Sequence, residues 1–266
     1  DRDLDAIREV IEKSFLNFHY ILQARRNSQR TRDIARGLRN DGWDPEDPEA
    51  GKPPRHLAGR ARKWRKLDRS SNKDTERVFS GLMEKIGMLQ GVGYLDEDLQ
   101  SNAGAGVLQH LQIEEIFSTE IVLSGMLDEL EPAMIFGALC SLCNSFSRAV
   151  VVRERPRGEA GRMAKELRSI RYGEVVRTCE QNIGVPVTFT PEMIPLGIAW
   201  YEGRSLQELT LLIESPTDLS GDLVSAFRRA KDLCMQLRRV YSDDPWTGDK
   251  LRDIAKTVSR DEVEVV

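Results

Sequence analysis

The sequence predicts an all-α fold, a multi-helix bundle, on three observations. Apolar residues recur at steps of three and four along most of the chain, aromatic residues make up only 6% against 31% charged residues, and helix-start signals crowd the last third. With 266 residues, 40% of them hydrophobic, the chain is long enough to bury a core without disulfide or metal staples. No apolar run approaches the roughly 20 residues of a membrane span, and no secretory leader pattern follows Asp1, so a cytoplasmic protein with no membrane partner is expected. The start at Asp1 rather than Met reads as a processed product or a piece of a longer protein.

The elements follow in order. Leu4, Ile7, Val10, Ile11, Phe15, Phe18 and Leu22 lie at helical spacing and predict an amphipathic helix over 4–22. Asn40 to Pro54 is made of turn formers and charge, with Pro and Gly blocking regular structure, and reads as a linker. Arg55 to Arg69 is basic around Trp64 and has little apolar content with which to hold itself down. Val78, Phe79, Leu82, Met83, Ile86 and Leu89 mark a helix that stops at Gly91-Val92-Gly93, and a compact domain is expected from residue 74 onward. Tyr94 to Ala105 reads as a short extended or turn segment.

Two apolar helices are then expected over 113–127 and 132–146, the second with Pro132 at its first position. A basic turn over 153–158 leads into one long helix through Met163, Leu167, Ile170, Val176, Cys179 and Ile183. Thr190-Pro191-Glu192 reads as an N-cap followed by a first-turn proline, and Ser205-Leu206-Gln207-Glu208 as a capping box. From Ser220 to Tyr241, Leu223, Phe227, Ala230, Cys234, Leu237 and Tyr241 alternate steps of four and three, a seam for burial. The other faces of that helix carry Arg228, Arg229, Lys231, Arg238 and Arg239. A last helix is expected over 249–258, and no repeat of fixed period is found.

The motif content excludes several chemistries. There is no Gly-rich phosphate loop between a strand and a helix, no nucleophile elbow, and no zinc-protease pairing among His19, His56 and His110. The single C-x-x-C, Cys140 and Cys143, sits in an apolar helical run with no second ligand pair, and reads as two core thiols. Asp96, Glu97 and Asp98 read as a solvated turn. Neither a catalytic residue nor a metal site is expected.

Charge is more informative. Between Arg25 and Lys73 there are 15 Lys/Arg and 7 Asp/Glu, or +8, which leaves −12 for the rest of a chain whose net charge is −4. A basic arm on an acidic body favours a polyanion, although a solvated tether has the same composition. Within the arm, Arg60, Arg62, Lys63 and Arg65 are candidates for phosphate contacts and Trp64 for stacking on a base. On the helix over 220–241, Arg229, Asp232 and Gln236 fall at i, i+3 and i+7, one stripe beside the packed seam, with Arg228 next to it.

Several stretches in a common order resemble the C-terminal region of the Ski-like superfamily two helicases, whose terminal unit is called the DSHCT domain. They are Gly93-Tyr94-Leu95-Asp96, the run from Glu120 to Leu130 continuing into Ala138 to Ser141, Ile198 to Leu206, and Asp218 to Leu233, which looks like the family's ratchet helix. Ser14 to Phe18 is similar to the S-F-x-x-F where a winged helix follows the second motor domain. The resemblance covers most of the chain after Asp74. It implies a remnant of the winged-helix region over 1–24, a basic linker over 25–73 in place of the arch insertion, and a ratchet-type helical bundle over 74–266.

By position, the family's base-contacting arginine falls on Arg229 and a neighbouring acidic position on Asp232. An earlier arginine falls on Ser225 and an acidic position of a facing helix near Ser147, two departures from the family pattern. The implied role is an accessory domain that guides single-stranded RNA, with DNA as the second choice, along the ratchet helix. Its partners would be upstream RecA-like motor domains that hold ATP and Mg, with no cofactor in this chain. The alternative is a stand-alone helical scaffold for protein partners with a basic tether.

Overall fold

The computed structural model describes residues 18–147, 149–184 and 186–264. The fold is all-α as expected: helices carry nearly all its regular structure, and the strands among the described residues are two residues long. The chain divides into two units, Asp1–Gly87 and Met88–Val266. Most of the helix expected over 4–22, and with it all of the Ser14 to Phe18 stretch but Phe18, lies outside the described residues.

In the first unit, α1 (Phe18–Asn40) and the first part of α2 (Ala58–Gly91) enclose a small apolar cluster of Ala35, Leu38, Trp43, Leu57, Ala61 and Trp64. Ala35 and Leu38 fall three residues apart on α1, as do Ala61 and Trp64 on α2, so each helix turns one narrow stripe inward. The Trp43 indole donates to the Ala50 carbonyl (3.2 Å), which folds the intervening loop over the cluster. The basic stretch thus does have something to hold it down: Trp64 of α2, Trp43 of the loop and four smaller apolar side chains suffice. Among the described residues of this unit, irregular backbone is confined to the segment between α1 and α2, and the helix expected over 78–89 is the continuation of α2.

The second unit contains the main core. A short bridge between Leu95 and Ser101 precedes α3 (Ala103–Leu108), a helix not expected from the sequence, which the Asn102 side chain caps by accepting from the Ala105 amide. The apolar run over 113–127 forms two helices, α4 (Glu115–Leu123) and α5 (Met126–Glu129), because Gly125 takes a left-handed φ of 73° that ends the helical path. α6 (Pro132–Cys140) begins at its proline, as expected. The long helix expected over 163–183 is broken at Tyr172-Gly173 into α7 (Gly158–Arg171) and α8 (Glu174–Ile183).

α9 (Met193–Tyr201) starts after Glu192 rather than at Thr190, whose hydroxyl donates to the Asn144 carbonyl (2.6 Å) instead of capping. The capping box on α10 (Leu206–Thr210) is present: Ser205 Oγ accepts from the Glu208 amide and the Glu208 carboxylate accepts from the Ser205 amide. β1 (Val151–Val152) and β2 (Ile213–Glu214) pair antiparallel. Finally come α11 (Ser220–Val240) and α12 (Pro245–Val258).

The tightest crossing in this unit joins α6 to α9. A Cβ on Gly137 would lie 2.8 Å from the Ile194 carbonyl, and one on Gly197 would lie 2.8 Å from Cys140 Sγ and 3.0 Å from Gly137 Cα. Only hydrogen fits at either position. α6 and α9 in turn form the bed on which α11 and α12 lie.

Candidate nucleic-acid interface

α11 is fixed in rotation by its buried side. Leu223, Ala226, Phe227, Ala230, Leu233, Cys234 and Leu237 are all buried, the seam that the alternating spacing predicts. Phe227 stacks on Trp200 of α9, with ring centroids 5.1 Å apart and planes inclined by 20°. The Trp200 indole donates to the Val258 carbonyl (3.1 Å), and the Arg260 guanidinium lies over its ring at 3.7 Å. With that side held, Ser225, Arg229 and Asp232 are exposed and Gln236 is partly exposed. They fall at i, i+4, i+7 and i+11, one row about 16 Å long.

The cation of this row, Arg229, and its neighbour Arg228 are not consumed by carboxylates among the described residues. Arg229 Nη1 donates to the Cys143 carbonyl (2.8 Å), and Arg228 Nη2 donates to the Glu262 carbonyl. Neither guanidinium has an ion-pair partner among the described residues. A backbone carbonyl holds the side chain in place and leaves its formal charge unneutralised, so each guanidinium keeps further donors for a phosphate or a base. Gln236 Oε1 accepts from the Gln112 amide (2.8 Å), which ties the segment before α4 to the far end of the row.

That segment brings in a residue the sequence did not single out. Glu114 precedes α4 with a left-handed φ of 45° and makes no capping bond. The Cys143 thiol is pushed up to about 12, chiefly by burial; the positive charge of Arg229 opposes the rise, and the negative charges of Glu114 and Asp232 add to it. Arg229, Asp232 and Glu114 therefore share one electrostatic neighbourhood around Cys143. In the sequence Glu114 is one acid among many at a helix start, and only the folded chain brings its charge to Cys143, the residue whose carbonyl holds Arg229.

Just beyond Cys143 a cavity of about 470 Å³ is lined by Ser145, Phe146, Ser147 and Val150 on one side and by residues 186–190 on the other. Ser147, the position expected to face the row, lies on this cavity. Cys140 and Cys143 are buried free thiols in the core, and burial also raises the pKa of Cys140, Cys179 and Cys234. A buried neutral thiol is neither nucleophile nor ligand. Among the described residues no three His, Cys, Asp or Glu side chains gather in a way that could hold a metal ion. Asp96 accepts from the Gln100 amide (2.7 Å) and organises a turn.

The remaining candidates are in the first unit. Trp64, expected as a stacking platform, is only 9% exposed and belongs to the small apolar cluster, because it falls on the same inward stripe of α2 as Ala61. Arg60 is paired with Asp41, and the Arg65 guanidinium lies 5.9 Å from the Trp43 ring. Arg62 and Lys63 are exposed with no ion-pair partner among the described residues. The two candidate groups thus belong to separate units, the α11 row in one and the basic α2 residues in the other.

In comparisons with known proteins, the family model described as DSHCT (NUC185) domain matches residues 102–265, which include α3 to α12 and the whole α11 row. No curated protein matches this chain.

Proposed function

Since the chain belongs to the DSHCT (NUC185) domain family, a helicase-associated domain, we propose that it guides single-stranded nucleic acid along the exposed row of α11 while a motor located outside these residues moves the strand. The observation that carries this reading is the state of Arg228 and Arg229: exposed, held by backbone carbonyls, and without an acidic partner among the described residues. A strand that must slide needs contacts that are moderate and indifferent to sequence, which a few cationic donors supply through the phosphates. Asp232, one turn on from Arg229, and Glu114, whose charge also reaches Cys143, moderate the pull on a phosphate.

RNA is the strand proposed first and DNA second. The chain lacks the Gly-rich loop that would cradle a nucleotide, so its own residues do not fit ATP. We place ATP and Mg in upstream RecA-like motor domains, outside these residues.

The test is a titration of the chain with a single-stranded RNA oligonucleotide at low and moderate salt, with the R228A/R229A variant alongside. The expected result is salt-sensitive binding, with a slope of log affinity against log salt that falls by about 1 to 1.5 in the variant. Binding that is salt-independent, or unchanged in the variant, contradicts the reading and favours a protein-binding scaffold.

A further inference from the structure

The basic residues of the first unit are organised more strictly than their density in the sequence suggests. Arg62, Lys66, Arg69 and Lys73 are all exposed on α2, at i, i+4, i+7 and i+11. At about 100° per residue they form a single row roughly 16 Å long on the side of α2 opposite Ala61, Trp64 and Ser71, which are buried. None of the four has an ion-pair partner among the described residues. By contrast, Arg39 and Arg60 of the same unit are paired with Glu46 and Asp41. Asp41 and Glu46 are thus spent near the loop, and Asp68 on α2 accepts from Asn72, so no carboxylate among the described residues pairs with the α2 row.

What lies around the row decides its partner. No large apolar side chain among described residues 26–73 is exposed. The row therefore has nothing to insert into a lipid surface, which an interfacial helix needs. It also has no open aromatic on which an unpaired base could stack, since Trp43 and Trp64 are both buried. Contact is restricted to phosphates, and backbone-only contact gains most from the polymer of highest charge density. Double-stranded nucleic acid carries one charge per about 1.7 Å of axis, against about 3.4 Å for one strand alone.

We propose that the Arg62, Lys66, Arg69 and Lys73 row docks the phosphate backbone of duplex nucleic acid. This second contact is independent of the α11 row and differs from it in the form of nucleic acid it takes.

The experiment measures binding of the whole chain to a short blunt-ended RNA duplex by fluorescence anisotropy across a salt series. It compares the parent with R62A/K66A/R69A/K73A, with the milder K66Q/R69Q, and with a charge-matched control, R39A/R153A/R252A/K256A, whose four cations are all in ion pairs. Alanine at exposed helix positions retains the helix. The row variant is expected to lose at least about tenfold in duplex affinity and about 3 to 4 in salt slope, and the milder pair about 2, while the control stays within about twofold of the parent.

Equal losses in the control and the row variant overturn the proposal, as does undiminished duplex binding in both row variants. Binding of the parent to anionic lipid vesicles in place of the duplex also overturns it. R228A/R229A is measured on the same duplex and on a single strand. Loss of single-strand binding alone assigns α11 and leaves the α2 row intact, so the two readings fail separately.

Discussion

The Phe227 ring lies on the Trp200 indole at 5.1 Å, and this contact sets the orientation of α11. Trp200 is fully buried, capped by Arg260 on one face and hydrogen-bonded to the Val258 carbonyl. Replacing Phe227 by Ala opens a large cavity at the point where α9, α11 and the end of α12 meet. A loss of about 3 to 5 kcal/mol is expected in urea unfolding. Single-strand binding should fall as well, because the row loses its fixed rotation.

Gly197→Ala tests the crossing of α6 and α9. The added methyl would lie 2.8 Å from Cys140 Sγ and 3.0 Å from Gly137 Cα, in a region with no space to yield. A destabilisation of about 1 to 3 kcal/mol is expected from chemical denaturation. Gly221→Ala, where an added methyl meets nothing within 4 Å, should be neutral or slightly stabilising.

Arg171 and Glu180 form a bidentate pair (2.5 and 3.0 Å) that also fixes the Val187 amide and carbonyl. The hydrogen bonds from Arg171 hold the Glu180 carboxyl below its ordinary range. A carboxylate whose folded pKa is lowered contributes stability that is complete above the unfolded value of about 4.3, and is lost as pH falls through the folded value. Glu180→Gln should therefore cost stability near neutral pH, up to about 3 kcal/mol since Glu180 is 26% exposed. The gap between variant and parent should close as the pH drops below about 4, which acid titration of the unfolding midpoint reads.

Trp64→Phe should be tolerated while Trp64→Ala is not. The Trp64 indole nitrogen is buried without a hydrogen-bond partner, so Phe forfeits no bond and removes an unsatisfied donor. Ala empties the middle of the cluster shared with Ala35 and Leu38. Helicity of the chain, followed by circular dichroism on heating, should show an early loss in Trp64→Ala and little change in Trp64→Phe.

These residues also show what the sequence makes legible. The α11 seam was readable because apolar residues at alternating steps of four and three, with arginines on the remaining faces, are the mark of a helix buried along one side. The capping box at Ser205 was readable because its two partners are local. The breaks at Gly125 and Gly173 were not, since a glycine inside an apolar run is compatible with an unbroken helix until its φ or its packing is known. The helical pair of the first unit was hidden because its cluster draws only two residues from each helix, Ala35 and Leu38 from α1 and Ala61 and Trp64 from α2, too few to stand out as a periodic stripe. Glu114 was missed for a different reason: it owes its place to a tertiary contact, the tie between Gln112 and Gln236, more than 100 positions apart in the chain.

The row on α11 is the centre of the account, and a photo-crosslinker placed at Ser225, exposed on that row, tests it most directly. With a single-stranded RNA oligonucleotide at low salt, Ser225 should crosslink efficiently, the yield should fall on addition of salt or in the presence of R229A, and the same probe at exposed Glu166 on α7 should give background yield. Equal yields at the two positions, or a Ser225 yield indifferent to R229A, would contradict the account.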